Sequence, residues 1–591
     1  MNILGLSAFY HDSAAALVRD GMLVAAAEEE RFSRRKHDCD FPSLAVEFCL
    51  RRGGITVRDL DYVVFYEKPF TKFERIMRTS LATFPRGVAV FRAAMQTWLM
   101  DKLWLKAIIK EKIGVPTDRI VFSDHHLAHA ASSFYCSPFE KSAILTIDGV
   151  GEWTTTAKGK AEGNEIHLSG EMRFPHSLGL LYSAFTAFLG FEVNEGEYKV
   201  MGMAPYGEPK YLDKVWRLMD LGEDGSFRLK MEYFQYPHSL KNTYNQKFVR
   251  LFGPPRKPET HFFTKNTGFP SYFGEKPANY AKLENENQHY ADIAASVQRA
   301  VEEIVLRMTR ALHQETGMSD LCMAGGVALN SVANGRILRE TPFKRLFIQP
   351  AAGDGGGAIG AALHFVHQVL GEPRRFVMKH AYWGEEYDDA QTADFLKSQN
   401  ISHEHVPDEG RLISRVVDAL VSGKVVGWHQ GRFEFGPRAL GARSIIADPR
   451  SAEMKDVVNT KIKFREPYRP FAPSVIVEEA ENYFEMPGIS RQDAARFMLL
   501  VAPVKADKRE KIPAVSHMGT GRLQTVFQES NPRYHRLIRT FGEATGVPVI
   551  LNTSFNLRGE PIVATPANAW RTFKASEMDL LVMGNDLVVK A

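Results

Sequence analysis

The sequence predicts a two-domain protein, α/β in its N-terminal part and α+β behind it, and three observations carry that expectation. The 591 residues are too many for a single hydrophobic core. A unit of strand, polar loop, strand, tight turn and strand stands at the start and returns after residue 142, which reads as an internal duplication. Near residue 370 two glycine clusters give way to a linker-like stretch, and a new pattern of helices and strands begins. The expected domains are 1–370 and 371–591.

Taken in order, "NILGLS" is a first strand, "AFYHDS" a polar loop, and "AAALVRD" and "MLVAAAEEERFSRR" are two strand segments turning at Gly21. The second unit, "AILTIDGVGEWTTTAKGKAEGNEIHLSGEMRF", repeats that layout. Between them, residues 66–112 are basic and aromatic at helical spacing; helices packed on the domain with solvated lysines fit this better than interfacial membrane binding. Residues 208–285 are rich in Pro, Gly and aromatics and only weakly periodic, as lids or substrate-binding insertions are. An amphipathic helix then runs over 289–316 and stops at Gly317. In the second domain, Thr565 and Pro566 cap a last helix, and Gly584-Asn585 turns a closing hairpin.

Composition narrows the class. Hydrophobic residues at 44% and charged residues at 24% are ordinary for a globular chain. A net charge of +4 argues against a nucleic-acid partner. Cys39, Cys49, Cys136 and Cys322 show no C-x-x-C spacing, which excludes a disulfide framework and a thiolate cluster. No leader-like segment opens the chain, and no apolar run approaches the roughly 20 residues of a membrane span. A cytoplasmic protein without membrane contact is expected, and a homodimer on base rates.

Polar residues collect at strand ends, where α/β folds bind ligands. In "DHHLAHA", His125 and His129 are four apart and share one helix face, while His126 points elsewhere. The pair fits a metal site and equally a pair of hydrogen-bonded helix histidines. Asp148 in "TIDGVG" and Asp354 in "AAGDGGGA" could complete a nitrogen/oxygen set suited to Fe(II), Mn, Co or Zn. "AGGVALN" and "GDGGGAIG" are phosphate cradles or tight strand–helix packing. His11 is either a general base for a hydroxyl or a loop cap. The second domain sets Arg438, Arg443, Lys461, Lys463, Arg465, Arg469 and Arg522 beside Asn552, Ser554 and Asn556 in Gly/Pro-punctuated loops. Forks and amides in that setting suit a polyphosphate pocket.

"GLSAFYHDSAAAL", "DHHLAHAASSF", "TIDGVGEWTT", "MAGGVALN", "GDGGGAIGAAL", "FGPRALGARSI", "YRPFAPS" and "LNTSFNLRGEPIV" together resemble the NodU/CmcH family of O-carbamoyltransferases, in order and over nearly the whole chain. The resemblance implies an actin/hexokinase-like duplicated ATPase fold (ASKHA) followed by a YrdC-like domain. It implies that carbamoyl phosphate and ATP give carbamoyl adenylate and pyrophosphate in the second domain. The carbamoyl group then passes to a hydroxyl of a small-molecule acceptor in the first, releasing AMP. By motif match His125, His129, Asp148 and Asp354 hold a divalent metal, iron first among the candidates, and Mg(II) accompanies ATP. His11 meets the reacting hydroxyl. Gly325, Gly326, Asn330, Gly355 and Gly356 hold nucleotide. Arg438, Lys463, Arg469, Arg522, Asn552 and Ser554 bind ATP and carbamoyl phosphate, with Arg438 and Lys463 acting in the chemistry. Met518 stands where the family pattern leads one to expect an acidic residue before "GTGRLQTV". Two other readings share these fold types: a tRNA threonylcarbamoyladenosine-type enzyme and a non-catalytic nucleotide-driven module.

Overall fold

The structure, a computed structural model, describes the chain apart from residues 101, 464, 465, 467 and 591. Strands β1 (Asn2–Ser7), β2 (Ala14–Arg19), β3 (Met22–Glu28), β4 (Tyr62–Phe65) and β5 (Ile120–Phe122) form a sheet of order β3-β2-β1-β4-β5. β6 (Lys141–Ile147), β7 (Thr154–Glu162) and β8 (Glu165–Arg173) open the second unit. After a two-stranded hairpin of β9 (Met219–Leu221) and β10 (Phe227–Leu229), β11 (Asp320–Ala324) and β12 (Arg345–Ile348) complete its sheet, in the order β12-β11-β6-β7-β8. Numbered within each unit, both sheets read 3-2-1-4-5. In each, the first three strands are antiparallel and the last two parallel. The duplication read from the sequence is therefore a repeat of topology.

Two helices lie between the sheets and are pressed together by small residues. A Cβ on Gly360 of helix Gly357–His364 would stand 1.8 Å from the Ala128 carbonyl of helix His125–Phe134. A Cβ on Gly5 of β1 would stand 1.9 Å from the Ala358 carbonyl. Part of the glycine run thus serves close packing. The long helix spans Tyr280–Thr316 and ends at Gly317 in the left-handed region (φ 64°). It starts nine residues before the apolar period becomes visible, because its first turns are polar and exposed.

Residues 66–112 form helices Pro69–Ala82, Val88–Met100 and Leu105–Ile113. Their basic residues are not all solvated. Lys72 is buried against Glu67 at 2.6 Å, and buried Arg75 donates to the Gly151 carbonyl at 2.6 Å. Among the described residues, no helix is long and apolar enough to cross a membrane.

The second part of the chain builds a nine-stranded mixed sheet from β13 (Glu404–His405), β14 (Val426–His429), β15 (Arg443–Ala447), β16 (Ala472–Ile476), β17 (Leu500–Pro503), β18 (Thr520–Val526), β19 (Val549–Ser554), β20 (Leu580–Met583) and β21 (Asp586–Val589). Its order is β13-β21-β20-β14-β15-β19-β16-β18-β17. Helices Glu409–Val421 and Pro532–Thr545 bury their apolar stripes together against it. Thr565 caps the last helix in a capping box with Pro566 behind it, and Gly584 (φ 58°) turns the final hairpin.

The two parts share one hydrophobic core, crossed by contacts such as Phe48–Phe433 (6.2 Å) and Phe347–Phe497 (6.3 Å). Helix Ser331–Glu340 lies so close to β17 that a Cβ on Gly335 would stand 2.0 Å from the Val501 carbonyl. We expect Gly335→Ala to destabilise the chain by about 1–3 kcal/mol through overpacking, read as a lower midpoint in urea unfolding. An unchanged midpoint would show that β17 has room to move.

Candidate active site and metal centre

Helix His125–Phe134 starts immediately after β5, and its first exposed N–H group is taken by a carboxylate from the second unit. Glu152 accepts from the His125 N–H at 3.0 Å and from the Lys68 N–H at 2.8 Å. That capping aims His125 and His129 inward, toward Asp148 after β6 and Asp354 after β12. One donor atom from each of the four lies within 4.8 Å of the others. His125 Nε2 is 3.1 Å from His129 Nε2 and 3.4 Å from Asp148 Oδ2. Asp354 Oδ1 is 3.5 Å from His129 Nε2 and 3.7 Å from His125 Nε2. Ligands at about 2.1 Å from a tetrahedral ion stand roughly 3.4 Å apart, so the spacing fits a first-row divalent metal. Asp354 Oδ1 is buried without a hydrogen-bond partner, as an oxygen reserved for a cation would be.

Other polar groups orient this set. The Gly326 N–H donates to Asp148 Oδ1 at 2.8 Å, and the Tyr66 hydroxyl donates to Asp354 Oδ2 at 3.3 Å. Glu67, paired with Lys72, lies 3.8 Å from His125 Nδ1. Burial opposes ionisation of Asp148, but hydrogen bonding to His125 and the His129 and His125 charges hold its carboxyl well below the usual range. His126 faces away: Nε2 donates to the Thr154 carbonyl at 2.9 Å and Nδ1 accepts from the Thr146 hydroxyl at 2.7 Å. Burial and the two neighbouring imidazoles keep it neutral, far below its ordinary pKa.

His11 stands in the loop between β1 and β2. Its Nδ1 donates to Asp12 Oδ2 at 2.9 Å, and His37 Nδ1 donates to Asp12 Oδ1 at 2.8 Å. Burial pulls the His11 pKa down, but the Asp12 hydrogen bond, with the Asp354 and Asp12 charges, outweighs it and raises it to about 9.

A single cavity of about 1000 Å³ joins the two parts of the chain. Its first-domain wall includes His11, Asp148, Gly326, Asn330 and Gly355; Gly325 and Gly356 are packed behind it. Gly325 takes φ 92° against the Ile147 carbonyl, and a Cβ on Gly356 would meet the Ala351 carbonyl at 2.1 Å. Asn330 caps helix Ser331–Glu340 and exchanges hydrogen bonds with Gln298 at 3.1 Å.

The opposite wall carries Arg438, Lys463, Arg469, Arg522, Asn552 and Ser554. Lys463 Nζ donates to the Ser554 carbonyl and to Asn556 Oδ1 at 2.8 Å. Arg469 lies over the Tyr198 ring at 4.9 Å and pairs with Glu466 at 3.4 Å. Burial lowers the Arg438 pKa to about 10, which leaves it a cation at neutral pH. Asn552 donates to Ala439 O, Ser474 Oγ and Gln524 Oε1 at 3.0–3.2 Å, and its own Oδ1 is buried and unpartnered. Two sequence candidates leave this wall. Arg443 is fully buried and donates to the Gln430, Ala442 and Ala564 carbonyls, so it holds loops together. Lys461 points outward to Glu577 at 3.6 Å. Arg465 lies outside the described residues. Met518 is 52% exposed and off the cavity, so its departure from the acidic pattern leaves the wall unchanged.

The family models described as carbamoyltransferase N-terminus and carbamoyltransferase C-terminus match residues 2–363 and 417–590. The chain belongs to the carbamoyltransferase family. It is similar to the nodulation protein NolNO of Sinorhizobium fredii (38% identity, 98% of this chain and 79% of that one). It is also similar to the 3'-hydroxymethylcephem-O-carbamoyltransferase of Streptomyces clavuligerus (32% identity, 45% of this chain and 48% of that one). An uncharacterized protein of Synechocystis, sll1178, is 47% identical over 100% of this chain and 97% of its own length. Among solved structures, HypF of T. kodakarensis (15% identity, 63% of this chain and 48% of that one, TM-score 0.32) is similar at a level that carries no argument. Within the family, this chain is a carbamoyl-transferring enzyme, and its first part carries the duplicated sheet that the resemblance implied.

The His11–Asp12–His37 group has a pH signature. Asp12 is held well below the usual carboxylate range: burial opposes this, but hydrogen bonds from His11 and His37 prevail. Its contribution is present above the unfolded carboxylate value near ~4. The His11 contribution is full below its unfolded value near ~6.5 and is lost as pH rises through about 9. The gap in melting temperature between the natural chain and Asp12→Asn should therefore be widest near pH 6 and close toward pH 9. A gap that does not change over that range would remove this ion pair.

Proposed function

We propose that the chain is an ATP-dependent O-carbamoyltransferase that forms carbamoyl adenylate at the cationic wall and spends it at the His11 wall of the same cavity. The observation that carries this reading is the cavity itself, with guanidinium and ammonium groups on one side and His11, Asp12 and Asp148, the last a member of the His/Asp cluster, on the other. The domains are 1–370 and 371–591, supported by the gap between the two family matches.

In the first step carbamoyl phosphate loses its phosphate to water. The carbamate oxygen then attacks the α-phosphorus of ATP, and pyrophosphate leaves. Arg438, Arg469 and Arg522 present forks to the phosphate oxygens, and Lys463, fixed by Ser554 and Asn556, supplies a point charge. Mg(II) accompanies the nucleotide. In the second step an acceptor hydroxyl attacks the carbamoyl carbon, and AMP departs with the bond to its phosphate oxygen broken. His11 at its raised pKa carries a proton at neutral pH, so it takes the hydroxyl proton only once the negative charge of Asp354 and Asp148 behind it is offset. A divalent ion on His125, His129, Asp148 and Asp354, Fe(II) first among the candidates, would supply that offset and polarise a carbonyl or phosphate oxygen. The mixed anhydride hydrolyses readily, so making and spending it within one cavity limits its loss to water.

The acceptor is a hydroxylated small molecule. Arg256, Thr260 and Tyr272 of the 208–285 insertion line the cavity, which supports this insertion as the seat of acceptor choice. A net charge of +4 weighs against tRNA as acceptor.

Pyrophosphate release from ATP should require carbamoyl phosphate and proceed without acceptor. His129→Ala should keep that release within about twofold and lose transfer to an acceptor by at least about 100-fold, with one metal equivalent lost by elemental analysis. Absence of carbamoyl-phosphate-dependent pyrophosphate from folded, metal-loaded protein would sink the reading.

A further inference from the structure

The turn after β3 reaches out of the first domain and grips the second at two places, both on loops that lead into the cationic wall. Glu28 Oε1 accepts from the Gly436 N–H at 2.6 Å, and Arg31 Nη2 donates to the Gly436 carbonyl at 2.6 Å. Both faces of one residue are thus held, two positions before Arg438. Gly436 itself takes φ 114°, and a Cβ there would stand 2.9 Å from Pro350, so the backbone at this point has one shape only. Arg34 then donates through Nη1 to the Ile562 carbonyl and through Nη2 to the Pro561 carbonyl, at 2.6 and 2.7 Å. Pro561 and Ile562 line the cavity beyond Ser554 and Asn556.

Glu28 and Arg31 are buried, 6% and 2% exposed. Arg34 sits at φ 61° and His37, three residues on, at φ 53°; Phe9 and Asp12 opposite are also in the left-handed region (φ 72° and 53°). Strain of this kind persists only where surroundings enforce it. The His37 N–H donates to Glu30 Oε2 at 3.0 Å, and its ring donates to Asp12, the residue that holds His11. The Arg34 N–H donates to the Glu30 carbonyl at 3.1 Å, so a hydrogen-bonded path runs from His11 through Asp12, His37 and Glu30 to Arg34 and the 561–562 loop, while Arg31, next to Glu30 in the chain, holds Gly436.

We propose that Glu28, Arg31 and Arg34 are positioning residues of the carbamoyl adenylate half-reaction, although they belong to the first domain: they fix the loops that carry Arg438 and border Ser554. This rests on the two-step reading above. Because Arg34 grips main-chain carbonyls, it sets loop position and not the second domain's chemistry. Its loss should therefore weaken capture of the anionic substrates and spare turnover once they are bound.

The experiment is carbamoyl-phosphate-dependent pyrophosphate release by the full-length, metal-loaded chain, with Arg34→Ala, Arg34→Lys and Glu28→Ala beside the natural protein. We expect Arg34→Ala and Glu28→Ala to raise KM for carbamoyl phosphate or ATP by about tenfold, in line with loss of hydrogen bonds to a charged group. kcat should stay within about threefold and metal content should be unchanged. Arg34→Lys, which keeps the charge and a donor, should recover part of the KM. If both alanine variants keep the natural KM, or lose kcat only in step with loss of folded protein, the proposal is overturned while the adenylation reading stands. No pyrophosphate from the natural protein would overturn both.

Discussion

Asp148 and Asp354, 7% and 1% exposed, face the same small volume, and the site around them is arranged to tolerate that. An ionised carboxylate taken from water costs several kcal/mol unless something repays its lost hydration. Here the compensation is partial. Gly326 and Tyr66 each donate one hydrogen bond, His125 stands 3.4 Å from Asp148, and one oxygen of Asp354 is left without a donor. A cation at the centre of the four groups would complete that compensation. The duplicated sheet makes the arrangement possible: β6 and β12 of the second unit end where the carboxylates are needed, and β5 of the first leads into the helix that carries the imidazoles. Neither unit alone could supply the set.

The opposite charge governs the other wall. Arg438, Lys463, Arg469 and Arg522 face one cavity, and like charges so placed call for anions. Glu466 stands beside Arg469, and main-chain and side-chain oxygens receive Lys463. On the proposed two-step reading, polyphosphate substrates would supply those anions, and an intermediate formed there would be spent at the His11 side of the same cavity, close to where it is made.

Much of this was legible in the sequence, because strand ends mark themselves: an apolar run followed by small and polar residues identified Asp148, Asp354 and the glycine loops. The 3.6-residue period separated His126 from His125 and His129. What escaped notice has a physical reason. Glu67 and Glu152 follow no motif; they matter through a buried lysine and a helix N-terminus contributed from elsewhere in the chain. Asp12 was visible only as a neighbour of His11, since its second partner, His37, is 25 positions away. Arg443 was misplaced for a different reason: charge beside glycine looks the same whether the guanidinium meets phosphate or three main-chain carbonyls, and only tertiary packing decides between them.

How the two walls keep their distance follows from the interface. Domains joined by a small polar contact are expected to move against each other. Here the hydrophobic core is continuous across the boundary, Gly335 admits β17 to backbone contact, and Asn334 donates to both Ala328 and Leu499 carbonyls at 2.7 and 3.0 Å. His517 Nε2, on the second-domain side of the cavity, donates to the Gly202 carbonyl at 3.1 Å, and burial keeps that imidazole neutral with a pKa near 4. Contacts of this kind are lost together or not at all, because each leaves a buried polar group unpartnered when broken. The cavity walls are accordingly held at one spacing by the shared core, and on the proposed two-step reading transfer between them would need diffusion of the intermediate and no swing of one domain toward the other.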